Sequence, residues 1–232
     1  MKLSLLLLVV VGLCSPALQA TIVFEGSGEL GGSGIPLSNI VLTQASQGSS
    51  TDSTGCVFWD GLATQTGSVN CPAGATFGGD EQGVNSTHTV GSLALIDFAT
   101  FRIAYNSDEP SSAADNGVML DELVFFIQAP DGTLLYSDSL AAPQAHPNTQ
   151  NGNLTQAFYY RLNDPASANA FLADPNNILG LAAKVSLETG GLETFYFGTA
   201  SAAAAIPEPA TSFLLLLGLG LLTLGRTKIP RR

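Results

Sequence analysis

The stretch "LVFFIQAPDGTLLYSD", residues 123–138, decides the fold class, because two strand-like runs flank a turn. Pro130-Asp131-Gly132 has the residues of a tight turn, so the stretch predicts an antiparallel hairpin. Successive side chains of a strand point to opposite faces, and in the first run both faces are apolar. One face carries Leu123, Phe125 and Ile127, and the other carries Val124 and Phe126. This pattern predicts a central strand that is covered on both sides.

Further short apolar runs separated by turn residues occur along the chain. They are "TIVFE" (21–25), "LSNIVLTQ" (37–44), "CVFW" (56–59), "HTVGSLALID" (88–97), "ATFRIAYN" (99–106) and "LTQAFYYRL" (154–162). The stretch "ILGLAAKVSLETGGLETFYFG" (178–198) predicts a final hairpin across Thr189-Gly190-Gly191. About ten strands without a repeat period predict an all-β fold, an antiparallel β-sandwich of jelly-roll type.

One short helix is expected between two of these strands. Asp164 is a favourable N-cap residue, Pro165 suits the first helical position, and residues 166–173 are mostly good helix formers. The turn residues of Asp174-Pro175-Asn176-Asn177 should end it.

The N-terminus "MKLSLLLLVVVGLCSPALQA" has the layout of a secretory signal peptide, residues 1–20. Lys2 gives the positive start, and the apolar run 3–13 is too short to span a bilayer comfortably. Leu18-Gln19-Ala20 is a suitable cleavage site. The predicted organisation continues with a secreted β-sandwich domain at 21–200 and a small-residue linker at 201–206.

The C-terminus combines three features in order at residues 207–232. The motif Pro207-Glu208-Pro209 precedes an uncharged apolar span, residues 210–225. A basic tail follows, consisting of Arg226, Lys228, Arg231 and Arg232. By the positive-inside rule the basic tail stays in the cytoplasm, so the body is exported.

This arrangement resembles the PEP-CTERM sorting signal of Gram-negative bacteria. The resemblance is confined to the tail. It implies processing near the motif by an exosortase, which is a membrane-embedded, transpeptidase-like cysteine protease. It also implies a precursor held transiently in the inner membrane, a mature form at the cell surface or in the extracellular matrix, and a host that makes exopolysaccharide.

The body, residues 21–205, is strongly acidic. It contains three basic and 18 acidic residues, a net charge of −15, against −11 for the whole chain. Such a surface repels phosphate groups, so a nucleic-acid partner is excluded. The charge suits solubility and cations.

Two cysteines, Cys56 and Cys71, remain after signal removal. Export places them in an oxidising compartment, so a disulfide is expected, worth about 3 kcal/mol for a loop of this size. Trp59 is the only tryptophan and lies near Cys56. It has two interpretations: packing against the disulfide in the core, or stacking on a sugar ring.

Acidic and amide side chains crowd residues 106–122, "NSDEPSSAADNGVMLDE". A solvated acidic loop is the simpler interpretation. The alternative is a Ca²⁺ site, since hard oxygen ligands in a flexible loop are what this cation needs. Its candidate ligands are Asp108, Asp115, Asn116 and Asp121.

The sequence contains no motif for nucleophilic or zinc-dependent catalysis, so no catalytic residue and no cofactor other than calcium are predicted. Three functions remain. The first is a non-enzymatic component of the cell surface or of an exopolysaccharide biofilm matrix. The second is a carbohydrate-binding or adhesive module, assisted by calcium in one version. The third and weakest is a polysaccharide hydrolase, for which no pair of carboxylates is singled out.

Overall fold

The computed structural model describes residues 21–28, 39–47, 50–67, 70–72, 77–107, 117–147, 157–188 and 191–199. This part of the chain forms twelve strands and one short helix. The elements are β1 (Thr21–Gly28), β2 (Ile40–Gln44), β3 (Ser53–Trp59), β4 (Thr64–Thr66), β5 (His88–Thr89), β6 (Phe101–Asn106), β7 (Val118–Gln128), β8 (Leu134–Leu140), β9 (Gln144–His146), β10 (Ala157–Leu162), α1 (Pro165–Asn169), β11 (Ile178–Ser186) and β12 (Glu193–Thr199). The predicted all-β class with one short helix is confirmed.

The strands belong to one hydrogen-bonded sheet with the order β2-β12-β6-β10-β1-β8-β7-β11-β3-β4. Strand β5 pairs with β11, and β9 pairs with β7. All pairs are antiparallel except β1 with β8, which pair in parallel through only two residue pairs, Thr21 with Ser139 and Ile22 with Leu140. Strand pairing therefore gives a single curled sheet, and the predicted β-sandwich of jelly-roll type is not confirmed.

The curl brings strand β2 close to strand β3, and residues 78–86 lie between them. We call these residues the seam segment. On one side, Ala45 N–H donates to the Asp80 carbonyl at 3.1 Å, and Gln82 N–H donates to the Thr43 carbonyl at 2.8 Å. On the other side, Asp80 N–H donates to the Thr54 carbonyl at 3.1 Å. The seam segment thus satisfies backbone groups on both strands, as buried polar groups require.

The inner face of the curled sheet holds the main hydrophobic core. The alternation in β6 places Phe101, Ile103 and Tyr105 there, as predicted. The rings of Phe101 and Phe125 are 5.0 Å apart between centroids, and Tyr105 stacks on Phe195 at 4.8 Å. Each fully buried side chain of this size stabilises the fold by roughly 1.5–3 kcal/mol relative to exposure. The aromatic residues therefore supply much of the driving force for closure.

The hairpin predicted at residues 123–138 is confirmed as β7 and β8. Its turn is closed by hydrogen bonds from Ala129 N–H to the Thr133 carbonyl at 2.8 Å and from Gly132 N–H to the Ala129 carbonyl at 2.9 Å. Strand β7 is covered on both faces, as predicted. Phe125 lies in the main core, whereas Phe126 packs in a second cluster on the outer face.

Two local predictions are corrected. The strands β11 and β12 exist, but they do not form a hairpin. Both edges of β11 are occupied, by β7 on one side and by β3 and β5 on the other, and β12 lies between β2 and β6. The run "HTVGSLALID" contributes only the two residues of β5, and the turns that follow it begin at Val90.

The helix begins as predicted but ends earlier. The Asp164 side chain caps it by accepting from Ser167 N–H at 3.4 Å. After Asn169 the chain continues in turns, with Phe171 N–H donating to the Ala168 carbonyl at 3.0 Å and Leu172 N–H to the Asn169 carbonyl at 3.2 Å. These bonds span three residues rather than four, so the α-helix tightens and stops.

Candidate functional site

A groove of about 410 Å³ opens at the end of the sheet where Trp59 terminates β3. Three pieces of chain form it: the end of β3 with its turn, the turn between β7 and β8, and the chain beside Cys71. The lining residues are Phe58, Trp59, Asp60, Asn70, Pro72, Gln128, Gly132 and Leu134. Aromatic and aliphatic side chains with a few polar groups are the usual lining of a ligand site, and the volume lies in the usual range of about 300–1,000 Å³.

The backbone and side chain of Trp59 are held in place by hydrogen bonds. The buried Gln128 amide accepts from Trp59 N–H at 2.8 Å and donates to the Trp59 carbonyl at 2.7 Å. The same amide nitrogen donates to the Gly132 carbonyl at 3.1 Å. The indole N–H donates to the Pro130 carbonyl at 2.8 Å. The orientation of the indole is therefore set by the protein alone.

Two turns pack against each other beneath the groove. The Asp60 carboxylate accepts from Leu62 N–H and Ala63 N–H, both at 2.8 Å. These bonds, that from Ala63 first, hold the pKa of Asp60 below its usual value. Gly61 has a φ of +97°, and a Cβ at this position would lie 2.6 Å from the Asp131 carbonyl oxygen. Only glycine fits both this backbone conformation and this close approach.

The predicted disulfide between Cys56 and Cys71 is present, with a Cα–Cα distance of 6.3 Å. It packs with Phe58, Phe77 and Phe126 in the outer-face cluster. One interpretation of the sequence placed Trp59 against the disulfide in the core. Phe58 packs there instead. The period of two in β3 could have shown this, because Cys56 and Phe58 share a face and Trp59 does not.

The two histidines both have structural contacts. His146 is buried, is hydrogen-bonded to the Tyr160 hydroxyl and stacks on Phe158 with a centroid distance of 4.0 Å. Burial lowers the pKa of His146 to about 4, so the imidazole is neutral at pH 7. A ring nitrogen of His88 is hydrogen-bonded to the Ile40 carbonyl at 3.0 Å.

Sequence reasoning missed three buried carboxylates among the described residues, Asp138, Glu188 and Glu193. Glu188 accepts from Ser46 N–H at 2.9 Å and from the Ser53 hydroxyl. Glu193 accepts from the Tyr105 hydroxyl at 2.5 Å. Burial and then the negative charge of Glu193 raise the pKa of Tyr105 well above its usual value. The period of two could have found Glu193, since it shares a face with residues 195 and 197 of the core; nothing in the sequence marked Glu188.

Comparison with known protein families gives one result. The profile of the PEP-CTERM protein-sorting motif matches residues 205–232. The tail is a PEP-CTERM sorting motif. The resemblance expected from Pro207-Glu208-Pro209, the apolar span and the basic tail is confirmed. The motif indicates an exported protein that an exosortase processes from a membrane-anchored precursor and that is sorted to the surface. The comparisons with curated proteins and with solved structures found no match.

The sorting motif and the predicted signal peptide both lie outside the described residues, so the predicted domain boundaries stay predictions. Among the residues that the structure does describe, there is no helix with the length and apolar character needed to cross a bilayer.

Of the four candidate calcium ligands, only Asp121 lies within the described residues. It lies in β7 at a bulge, between Leu120, which pairs with Val185, and Glu122, which pairs with Lys184. Asp108, Asp115 and Asn116 lie outside. The described ranges contain no group of three or more His, Cys, Asp or Glu residues that could hold a metal ion. The calcium site therefore stays a prediction.

Proposed function

We propose that the body of this chain is a non-enzymatic component of the cell surface or of an exopolysaccharide matrix in a Gram-negative host. The PEP-CTERM motif at residues 205–232 carries the proposal, because it directs the exported body to the surface. The exosortase is the processing partner, and exopolysaccharide is the proposed partner of the mature protein.

The build of the body supports a binding or structural role. The disulfide joins Cys71 to β3, and the seam segment ties β2 to β3. His146 is enclosed by aromatic rings. Asp60 and Asp131 accept hydrogen bonds from their own turns. These contacts are typical of a stable scaffold, in which the Asp60, Asp131 and His146 side chains have structural roles.

A second candidate function, a carbohydrate-binding or adhesive module, is favoured by the groove at Trp59. Trp59 is half-buried and lines the groove, and its indole N–H is already bonded to Pro130, so its apolar face is the part that a ligand can pack against. This role is compatible with the first, because a matrix protein can be retained by binding the polysaccharide around it.

The experiment for the proposed function uses a host that has an exosortase and makes exopolysaccharide. The gene is deleted and then restored as wild type or with Pro207, Glu208 and Pro209 all changed to alanine. We expect the wild type to be found at the surface with the C-terminal segment removed, as measured by cell fractionation and intact mass. The triple variant should remain unprocessed in the membrane fraction. Matrix retained on the cells should fall in the deletion strain and in the triple variant.

Ser201→Ala is the matched control, because it lies just outside residues 205–232 and should behave as wild type. A deletion strain that retains as much matrix as the wild type would refute the proposed matrix role. A mature surface protein that still carries Ile229 to Arg232 would refute processing at the motif.

A further inference from the structure

We propose that the groove at Trp59 binds a neutral polysaccharide chain, with the indole as the platform for one sugar ring. This inference rests on the proposed surface or matrix role and assigns it a site.

The apolar part of the groove is exposed although the protein has a large core to bury such residues. Leu134, which lines the groove, is 44% exposed. Leu62 is 88% exposed on the turn that follows Trp59. Leu134 and Trp59 together give the groove an apolar surface on which a ligand can pack. A pyranose ring presents a face of C–H groups that matches an indole and hydroxyls at its edge that match polar neighbours.

The polar part of the groove is suited to hydroxyl groups. Asp60 and Asn70 are exposed in the lining. The Asp60 carboxylate is ionised at neutral pH, as exposed carboxylates are, and the N–H groups of its turn lower its pKa further. Carboxylates accept hydrogen bonds strongly, and amides both donate and accept. Together they can hold the edge of a sugar ring whose face lies on the indole.

Charge argues for a neutral chain rather than an acidic one. Within the described lining there is no basic side chain. None of the three basic residues of the body lines the groove: Arg102 forms an ion pair with Glu25, Arg161 donates to the Leu162 carbonyl at 3.4 Å, and Lys184 lies in β11. A uronate-rich polysaccharide would meet Asp60 and a strongly acidic body, so it would be repelled.

The backbone around the groove argues against a peptide ligand. Peptides that bind as an added strand need free main-chain donors and acceptors. The Gln128 amide already occupies both main-chain groups of Trp59. Asp60 N–H donates to the Ala63 carbonyl at 3.3 Å, and Gly132 N–H donates to the Ala129 carbonyl at 2.9 Å. At Trp59 the part left for a ligand is therefore the face of the indole, as in recognition of a glycan.

The disulfide gains a role in this arrangement. Asn70 and Pro72 line the groove on either side of Cys71, and Cys71 is bonded to Cys56 within β3. The bond therefore holds one wall of the groove at a set distance from the indole on the same strand. Reduction should widen the groove while the main core, which lies on the other face, stays folded.

Trp59 is the only tryptophan in the chain, so its fluorescence reports on the groove alone. The experiment uses the full-length protein in a detergent without sugar groups. It is titrated with cellohexaose and mannohexaose as neutral probes, with hexagalacturonate as an acidic probe and with a proline-rich decapeptide. We expect a saturable blue shift of the emission with at least one neutral hexasaccharide and none with the other two probes.

Variants measured by calorimetry complete the test. Trp59→Ala should weaken neutral-glycan binding at least tenfold, whereas Trp59→Phe, which keeps an aromatic face, should lose less. Ile96→Ala is the matched control, because Ile96 is an exposed apolar residue that does not line the groove. Melting curves show whether each variant is folded. If Trp59→Ala does not fold, the wall of the groove beside Cys71 is tested instead, with Asn70→Ala and with the reduced protein. Each should bind the neutral glycan more weakly than wild type.

The outcomes separate this inference from the proposed function. Three results would each overturn the groove assignment. Neither neutral probe changes the emission, the acidic probe or the peptide binds instead, or folded Trp59→Ala binds as well as wild type. None of them would affect the surface location, which is measured by fractionation in the host. A protein that binds neutral glycans at Trp59 but is absent from the surface would instead contradict the proposed function.

Discussion

The carboxylate of Glu81 accepts a hydrogen bond from the backbone N–H of Cys56, with an O···N distance of 2.7 Å. The same carboxylate accepts from Gly67 N–H at 3.0 Å and from Gly79 N–H at 2.8 Å. One side chain of the seam segment therefore gathers donors from β3, from the end of β4 and from its own segment. Glu81 therefore connects the seam segment to β3, the strand that carries Cys56 of the disulfide.

Glu81→Ala should lower the free energy of unfolding by about 2–3 kcal/mol, since a hydrogen bond to a charged group contributes about 1.5–3 kcal/mol and unpaired N–H groups add a penalty. Urea unfolding at pH 7 measures the change. Glu122→Ala is the control, because its exposed carboxylate should cost well under 1 kcal/mol. Equal losses in the two variants would show that Glu81 does not fasten the seam.

His146→Phe should reduce the acid sensitivity of the fold. The pKa of His146 is about 4 when folded and about 6.5 when unfolded, so only the unfolded chain takes up a proton between these values. The stabilising contribution of the neutral imidazole is complete above pH 6.5 and is lost as the pH falls towards 4. The wild type should lose up to about 3 kcal/mol over this window through His146, at about 1.4 kcal/mol per pH unit.

The measurement is the free energy of unfolding of wild type and His146→Phe at several pH values between 7 and 4. As the pH falls, the free energy of unfolding of the wild type should decrease relative to that of the variant. Parallel curves would contradict a buried, neutral His146.

Asp138→Asn should have the opposite pH dependence. Burial raises the pKa of Asp138 from its ordinary value of 3.8 to about 6, so the folded state favours the protonated carboxyl. That contribution is complete below pH 3.8 and is lost as the pH rises through 6. The variant keeps an oxygen for Ser139 N–H, which lies 2.8 Å from the Asp138 carboxylate.

At pH 7 Asp138→Asn should therefore be more stable than the wild type by about 1–2 kcal/mol, and near pH 3.5 the two should be alike. Thermal melting at both pH values checks this. A variant that is less stable at pH 7 would show that the charged carboxylate is favoured where it lies.

Leu187→Gly should stabilise the protein although it removes a side chain. Leu187 has a φ of +65° and is 53% exposed. The left-handed conformation costs a non-glycine residue about 1–2 kcal/mol, which exceeds the extra chain entropy of glycine. We expect a gain of about 0.5 kcal/mol. Leu192→Gly, at an exposed leucine without positive φ, should destabilise, and a gain there as well would refute the strain argument.

Calcium should raise the melting temperature if the candidate ligands Asp108, Asp115, Asn116 and Asp121 form a site. Ligand linkage predicts a higher melting temperature in millimolar Ca²⁺, and a smaller effect of Mg²⁺ because it requires a tighter octahedral shell. Asp121→Asn should reduce the response. Equal melting temperatures with Ca²⁺, Mg²⁺ and chelator at constant ionic strength would leave a solvated acidic surface.

Local structure could be predicted from the sequence where it depends on residues that are close together along the chain. The hairpin turn at Pro130-Asp131-Gly132, the N-cap at Asp164 and the disulfide each depend on a few nearby residues, and each is confirmed. The tail was readable for the same reason, because its three features are consecutive.

The pairing of strands could not be predicted from the sequence, because it depends on residues that are far apart in the chain. Thr189-Gly190-Gly191 has the chemistry of a hairpin turn, yet β11 is already paired on both edges and β12 pairs elsewhere. The groove at Trp59 was missed in the same way. Its walls come from residues near 59, 71 and 130, which only the closed sheet brings together.

The position of β12 between β2 and β6 has a consequence for the order of events during export. Strand β2 has no other hydrogen-bonded strand neighbour in the described sheet, so only the seam segment can hold it until β12 arrives. Residues 193–199 form the last of the described strands to leave the ribosome, and only a few residues separate them from the sorting motif. Pairings between such distant residues form slowly. The chain should therefore cross the membrane unfolded and complete its fold on the far side, while the tail still tethers it there.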